Sequence, residues 1–98
     1  MAATPVTSGD TIRLRASFYN WAGSLVDPTA ITVTFYDSSK AAIGTAATLD
    51  MIEAKESTGV YFYDYTVPSG HTKIYYEFSG TIDTLPSVER GELRVTWL

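Results

Sequence analysis

The 98-residue sequence predicts an all-β sandwich of seven or eight antiparallel strands folded as a single domain over residues 1–98. Three observations carry this. The residue usage favours a pleated, half-buried surface, with 14 Thr, 7 Tyr, 4 Phe and 2 Trp beside frequent Val and Ile. Apolar residues recur with period two in several runs. Turn-forming Gly, Pro, Asn and Asp punctuate the chain every eight to twelve residues or so.

Taken in order, a short run at Thr4 to Thr7 contains Pro5 and suits an edge strand. Thr11 to Asn20 alternates cleanly, with Ile12, Leu14, Ala16 and Phe18 on one face and Arg13, Arg15, Ser17 and Tyr19 on the other. Asn20 to Ser24 and Asp27-Pro28 read as turns. Ala30 to Asp37 places Ile31, Val33 and Phe35 inward and Thr32, Thr34 and Tyr36 outward. The Ala-rich stretch from Ala41 to Lys55 is broken by Gly44 and several Thr, so it is divided into two weak strands, Ala41 to Leu49 and Met51 to Lys55, rather than a helix. Val60 to Val67 is apolar on both faces. Turning Asp64 to water places Tyr61, Tyr63, Tyr65 and Val67 inward and leaves Phe62 outward, where it needs cover from a loop or a partner. Lys73 to Ile82 turns Ile74, Tyr76 and Phe78 inward. Asp83 to Ser87 reads as a loop, and Glu89 to Leu98 forms the last strand with Leu93, Val95 and Trp97 inward. Gly80 and Gly91, inside strand patterns, mark bulges or close approaches. This number and spacing of strands is the arithmetic of an immunoglobulin-like sandwich, although the Cys pair and core Trp of antibody domains are missing.

Composition narrows the function. Seven basic against eleven acidic residues give a net charge of −4, which argues against nucleic acid and anionic membranes as partners. With no Cys, thiolate nucleophiles, thiolate metal sites and disulfides are excluded. The single histidine, His71, lies in the turn Pro68-Ser69-Gly70-His71-Thr72, and no G-x-S-x-G elbow surrounds any Ser. One His cannot complete a zinc site. Asp10, Asp27, Asp37, Asp50 and Asp83 fall at strand ends, where carboxylates bind turning backbone, and no calcium-loop or phosphate-loop motif occurs. The expectation is therefore a protein with no catalytic, cofactor-binding or metal-binding residues. Met1-Ala2-Ala3-Thr4-Pro5 has neither a basic start nor an apolar run, so no signal peptide is expected and the reading is a self-contained product of the cytoplasm.

The aromatic residues are the most informative. Trp21 stands on a turn, and either folds back over the end of the sandwich or meets a partner. Tyr36, Phe62 and the C-terminal Trp97 and Leu98 are the other candidate contacts.

The succession Gly9-Asp10-Thr11-Ile12-Arg13-Leu14, Val26-Asp27-Pro28, Ser57-Thr58-Gly59-Val60-Tyr61, Val67-Pro68-Ser69-Gly70 and Arg90-Gly91-Glu92-Leu93-Arg94-Val95 resembles the small immunoglobulin-like proteins encoded among the structural genes of tailed bacteriophages and proviruses. More loosely it resembles macroglobulin-type and bacterial surface domains of the same class. The phage resemblance implies a non-enzymatic virion component made in the host cytoplasm. Its partners would be capsid or tail subunits, as a homo-oligomer or a lattice-bound copy, in a decoration or head–tail role. The alternative is a cell-surface adhesion or carbohydrate-binding module.

Overall fold

The computed structural model describes residues 4–96. Its eight strands are β1 (Thr4–Thr7), β2 (Thr11–Ser17), β3 (Ile31–Tyr36), β4 (Ala47–Thr48), β5 (Lys55–Ser57), β6 (Val60–Thr66), β7 (Lys73–Ile82) and β8 (Leu85–Thr96), and the described residues contain no helix. They form a five-stranded sheet in the order β1-β8-β7-β3-β4 and a three-stranded sheet in the order β2-β6-β5. The inner faces of both sheets share one core, which includes Leu14, Ala16, Phe18 and Tyr61 from the smaller sheet and Ile31, Val33, Ile74, Phe78 and Leu93 from the larger. Phe35 of β3 joins the two sheets directly. Its ring lies on that of Tyr65 in β6 with centroids 3.6 Å apart and planes 7° from parallel.

The period-two expectations hold along β2, β3, β6 and β7, since alternation is imposed by the pleat itself. Ile12 and Tyr76, both expected deep in the core, are only partly buried. Tyr76 lies opposite Gly91 on the neighbouring strand. A Cβ at Gly91 would run into the Tyr76 ring, which covers the glycine while packing against the edge of the core and against Phe78. At Gly80 a Cβ would meet Pro28 at 3.0 Å. Both glycines are thus close approaches and not bulges, and the β7–β8 register runs unbroken through them.

Four sequence expectations need correction. The strands are not all antiparallel: β1 runs parallel to β8, with Val6 opposite Val95. No hairpin constrains β1, because the chain leaves it through Gly9 (φ +89°) for the other sheet, so either direction along the β8 edge is open to it. The run from Ala41 to Leu49 pairs only at Ala47–Thr48 and through a Tyr36–Ala42 bridge. Met51 to Ala54 is a turn rather than a strand. The Asp50 carboxylate accepts hydrogen bonds from the Ile52 and Glu53 amides (2.9 and 3.0 Å), and the Asp50 carbonyl accepts one from the Ala54 amide (2.9 Å). Finally, the segment from Asp83 to Ser87 is not a loop. Asp83 and Thr84 alone make the turn, with φ of +50° and +65°, and Leu85 already pairs with Ile82. Two consecutive positive φ values characterise the two-residue turn whose twist matches the flanking strands.

That turn is favourable for the hairpin and unfavourable for its residues, because a β-branched Thr at positive φ is strained. Thr84→Gly is expected to stabilise the domain by about 1 kcal/mol and to raise Tm by roughly 4–8 °C, as read by calorimetry. An unchanged or lower Tm would show that the turn stores no such strain.

Candidate functional site

The β7–β8 hairpin extends past the end of β3, whose first residue, Ile31, lies opposite Gly80. Residues 81–86 therefore project as an arm. At about 3.4 Å per residue, the twelve residues of β8 span roughly 40 Å, matching the 41 Å long axis of the molecule. Beyond the core, the inner face of this arm meets the β2–β3 connection, and between them opens a groove of about 220 Å³. Tyr19, Trp21, Ile82, Leu85 and Pro86 supply its apolar walls, with the uncharged Asn20 and Ser87 beside them.

Trp21 dominates the rim. It is 90% exposed, so it does not fold back over the end of the molecule. Its exposure does not come from a loose loop. The Gly23 amide donates to the Asn20 carbonyl at 3.0 Å, the Asn20 amide to the Ser24 carbonyl at 2.9 Å, and the Ser24 amide to the Asn20 carboxamide oxygen at 3.0 Å. Gly23 takes the left-handed conformation (φ +83°) that closes this turn. The base of the connection is tied down by the Tyr19–Leu25 bridge and by the Val26 amide on the Phe18 carbonyl at 3.0 Å. Tyr19 and Leu85 are about half exposed beside the Trp, at 55% and 48%.

The connection is anchored to the smaller sheet through Asp27. Its carboxylate accepts hydrogen bonds from the Lys55 ammonium (2.6 Å) and the Gly59 amide (2.8 Å). These contacts, the lysine first, hold the Asp27 carboxyl below the ordinary carboxylate range. Gly59 in turn returns its carbonyl to the Phe18 amide at 2.8 Å. The Val26-Asp27-Pro28 and Ser57-Thr58-Gly59 signals of the sequence are thus the two halves of one latch.

The other candidate contacts do not gather here. Tyr36 lies at the far end of β3, half buried and opposite Tyr75. Phe62 faces outward from the smaller sheet as expected, but its cover comes from within the chain. The Arg13 guanidinium lies 3.8 Å over its ring while hydrogen-bonding Asp64 at 2.8 and 3.1 Å. Trp97 and Leu98 lie outside the described residues. Among the groove residues, Ile82 ends the strand expected from Lys73, but Leu85 and Pro86 fall in the segment from Asp83 to Ser87 that the sequence presents as a loop. The signal that could have placed them is the two-residue Asp83-Thr84 spacing between the apolar Ile82 and Leu85.

The strand-end carboxylates act on the backbone. The Asp37 carboxylate accepts hydrogen bonds from the Ser39 hydroxyl (2.7 Å) and from the Ser39 and Ala41 amides (2.9 and 3.0 Å). Asp37, Asp50 and Asp64 are, like Asp27, held below the usual range, by the Ser39 hydroxyl, the Glu53 amide and the Arg13 guanidinium respectively as the largest causes. A folded-state pKa below the unfolded value of about 3.9 gives stability that is complete above that pH and disappears as pH falls through the lowered values. Urea denaturation midpoints should therefore be level from pH 7 to about 5 and decline below about 4. A midpoint that rises on acidification would contradict this assignment. Among the described residues no three His, Asp or Glu side chains converge as a metal cluster.

Comparison with protein-family models, with curated proteins and with solved structures finds no match.

Proposed function

We propose that this chain is a non-enzymatic immunoglobulin-like binding protein and a structural component of a tailed-phage or proviral virion, attaching to capsid or tail subunits through the end that carries Trp21. The strand order supports the immunoglobulin-like reading. A sheet of the second, sixth and fifth strands faces one built on the third, seventh and eighth, as B, E and D face C, F and G in that class. In the same correspondence the β2–β3 connection and the β7–β8 hairpin are the B–C and F–G loops, which lie at one end and bind ligands in variable domains. The virion setting rests on the resemblance of the turn motifs.

The observation that carries a binding role is Trp21, 90% exposed on a hydrogen-bonded turn at the rim of an apolar groove. Tryptophan is enriched among residues that dominate interface energies, and a preordered one loses little conformational freedom on binding. Trp21→Asp is expected to leave Tm within about 2 °C of the parent, as surface substitutions usually do. Incorporation into virion particles assembled in its presence should fall at least about tenfold. Normal incorporation of the variant would exclude this end as the contact. The carbohydrate-binding alternative draws on Trp21 and Tyr19 exposed together on one groove. Saturable quenching of Trp21 fluorescence by a neutral oligosaccharide would favour it.

A further inference from the structure

We infer that the edge of β8 left unpaired among the described residues receives an extended segment of a different protein as an added strand, with one bulky uncharged side chain of that segment seated in the Trp21 groove. The inference deepens the binding role proposed above, and rests on it for the partner being a protein.

β8 is paired on its outer side only where β1 lies, opposite residues 93–96. From Leu85 to Glu92 that side carries no strand among the described residues. The direction of its peptide groups follows from their neighbours. The Val95 amide donates to the Thr72 carbonyl at 2.9 Å, so odd-numbered residues of β8 turn their backbone groups towards β7. The Thr96 carbonyl accepts from the Ser8 amide at 3.3 Å on the opposite side, so even-numbered residues turn theirs outward. On the β7 side of the hairpin, the Thr81 carbonyl accepts from the Thr29 amide at 2.9 Å, consistent with the same alternation. Val88 and Arg90 consequently offer an amide and a carbonyl each along the open edge, and Pro86 a carbonyl alone. A row of this kind is matched by another extended backbone.

This edge and the groove are continuous, because Pro86 belongs to both and Leu85 beside it walls the groove. A strand lying along Val88 and Arg90 continues past Pro86, where a long side chain turned to the inner face can reach across Leu85 into the groove. No charged residue lines the groove, so a charged side chain entering it would lose water without gaining a partner. An aromatic or large aliphatic one buries apolar area instead.

A second copy of this chain fits the edge poorly. A two-fold axis through the sheet pairs the stretch antiparallel to itself. Centred on Ser87 or Val88, it sets Pro86, which has no amide hydrogen, against Val88 or Arg90. Centred on Glu89, it opposes two glutamates, and centred on Arg90, two arginines. Centred on Gly91, it faces Arg90 with Glu92 but drives Val88 against Arg94, which β1 of the other copy already covers. Like charges directly opposite are destabilising, and the lost proline donor leaves a carbonyl unmatched on each side. The edge is shaped against itself and open to a foreign strand.

The test begins with a displayed library of random peptides of about ten residues, long enough to span the free positions, selected on the wild-type domain. Enriched sequences are remade as blocked synthetic peptides and measured by fluorescence anisotropy. The expected winners carry one aromatic or large aliphatic residue near one end, flanked by β-branched residues. Methylating alternate peptide amides should weaken binding at least about tenfold in one phase and little in the other, since only every second amide of an added strand faces the domain. Trp21→Ala should weaken binding by a similar factor with Tm unchanged. Val88→Pro, which removes an outward amide, should do so as well. Should that variant fail to fold, the methylated peptides on the wild-type protein still decide.

The inference is overturned if no peptide is enriched over the Trp21→Ala domain, or if both methylation phases bind alike. It is also overturned if a neutral oligosaccharide occupies the groove instead, or if sedimentation reveals a dimer that Val88→Pro abolishes. Because the peptides are tested on the isolated domain, loss of particle incorporation on Trp21→Asp together with absent peptide binding would retain the binding role and reject only strand addition.

Discussion

Gly59→Ala is expected to destabilise the domain by about 2–5 kcal/mol, a large share of the 5–15 kcal/mol available to a small domain. Two effects add. Gly59 has φ +74°, where a Cβ costs about 1–2 kcal/mol. That Cβ would also stand 2.9 Å from the Val26 nitrogen and 3.0 Å from the Phe18 carbonyl oxygen. Both are backbone atoms at the root of the β2–β3 connection, so they cannot swing aside as a side-chain tip would. Forcing them apart costs about 1–3 kcal/mol more. It also disturbs the Gly59 amide on Asp27 and the Gly59 carbonyl on the Phe18 amide. Gly23→Ala is the control. Its φ of +83° is similar, but nothing lies within 4 Å of the added methyl, so only the conformational cost of about 1–2 kcal/mol remains. Urea denaturation of the two variants separates strain from collision. Equal losses would mean that the close approach at Gly59 relaxes freely.

Phe35→Ala is expected to cost about 3–5 kcal/mol and to lower Tm by at least about 12 °C. The ring is 5% exposed and bridges the two sheets, stacked on Tyr65 and tilted against Tyr63 at 5.9 Å. Removing it loses the transfer energy of a phenyl group and leaves a space bounded by strands on both sides. β3 is held by β7 along its length, and β6 by β2, so neither sheet readily closes the gap. Phe35→Leu should recover more than half of the loss in the same melts, since it refills most of the volume. A Phe35→Ala variant within about 1 kcal/mol of the parent would show that the sheets can collapse towards each other. Inter-sheet packing would then not be the main constraint.

Legible from the residues alone were the fold class, the inward faces of β2, β3, β6 and β7, the edge position of the Pro5 strand and the use of strand-end aspartates as backbone acceptors. Each follows from local physics. Side chains alternate across a pleat, proline lacks a donor, and a carboxylate reaches amides two to four residues away, as Asp37 and Asp50 do. Features that depend on which strands become neighbours emerge with the assembled sheets. The parallel pairing of β1 with β8 is one, because no turn encodes it. The cover over Phe62 is another, since Arg13 lies 49 positions earlier in the chain and meets it only through the β2–β6 register. Tyr76 covers Gly91 from the core's edge for the same reason. The candidate site is a product of both levels. Trp21 on its turn was legible as an aromatic out of place. Its groove was not, because the opposite wall comes from a hairpin more than sixty residues away, whose length depends on two residues at positive φ.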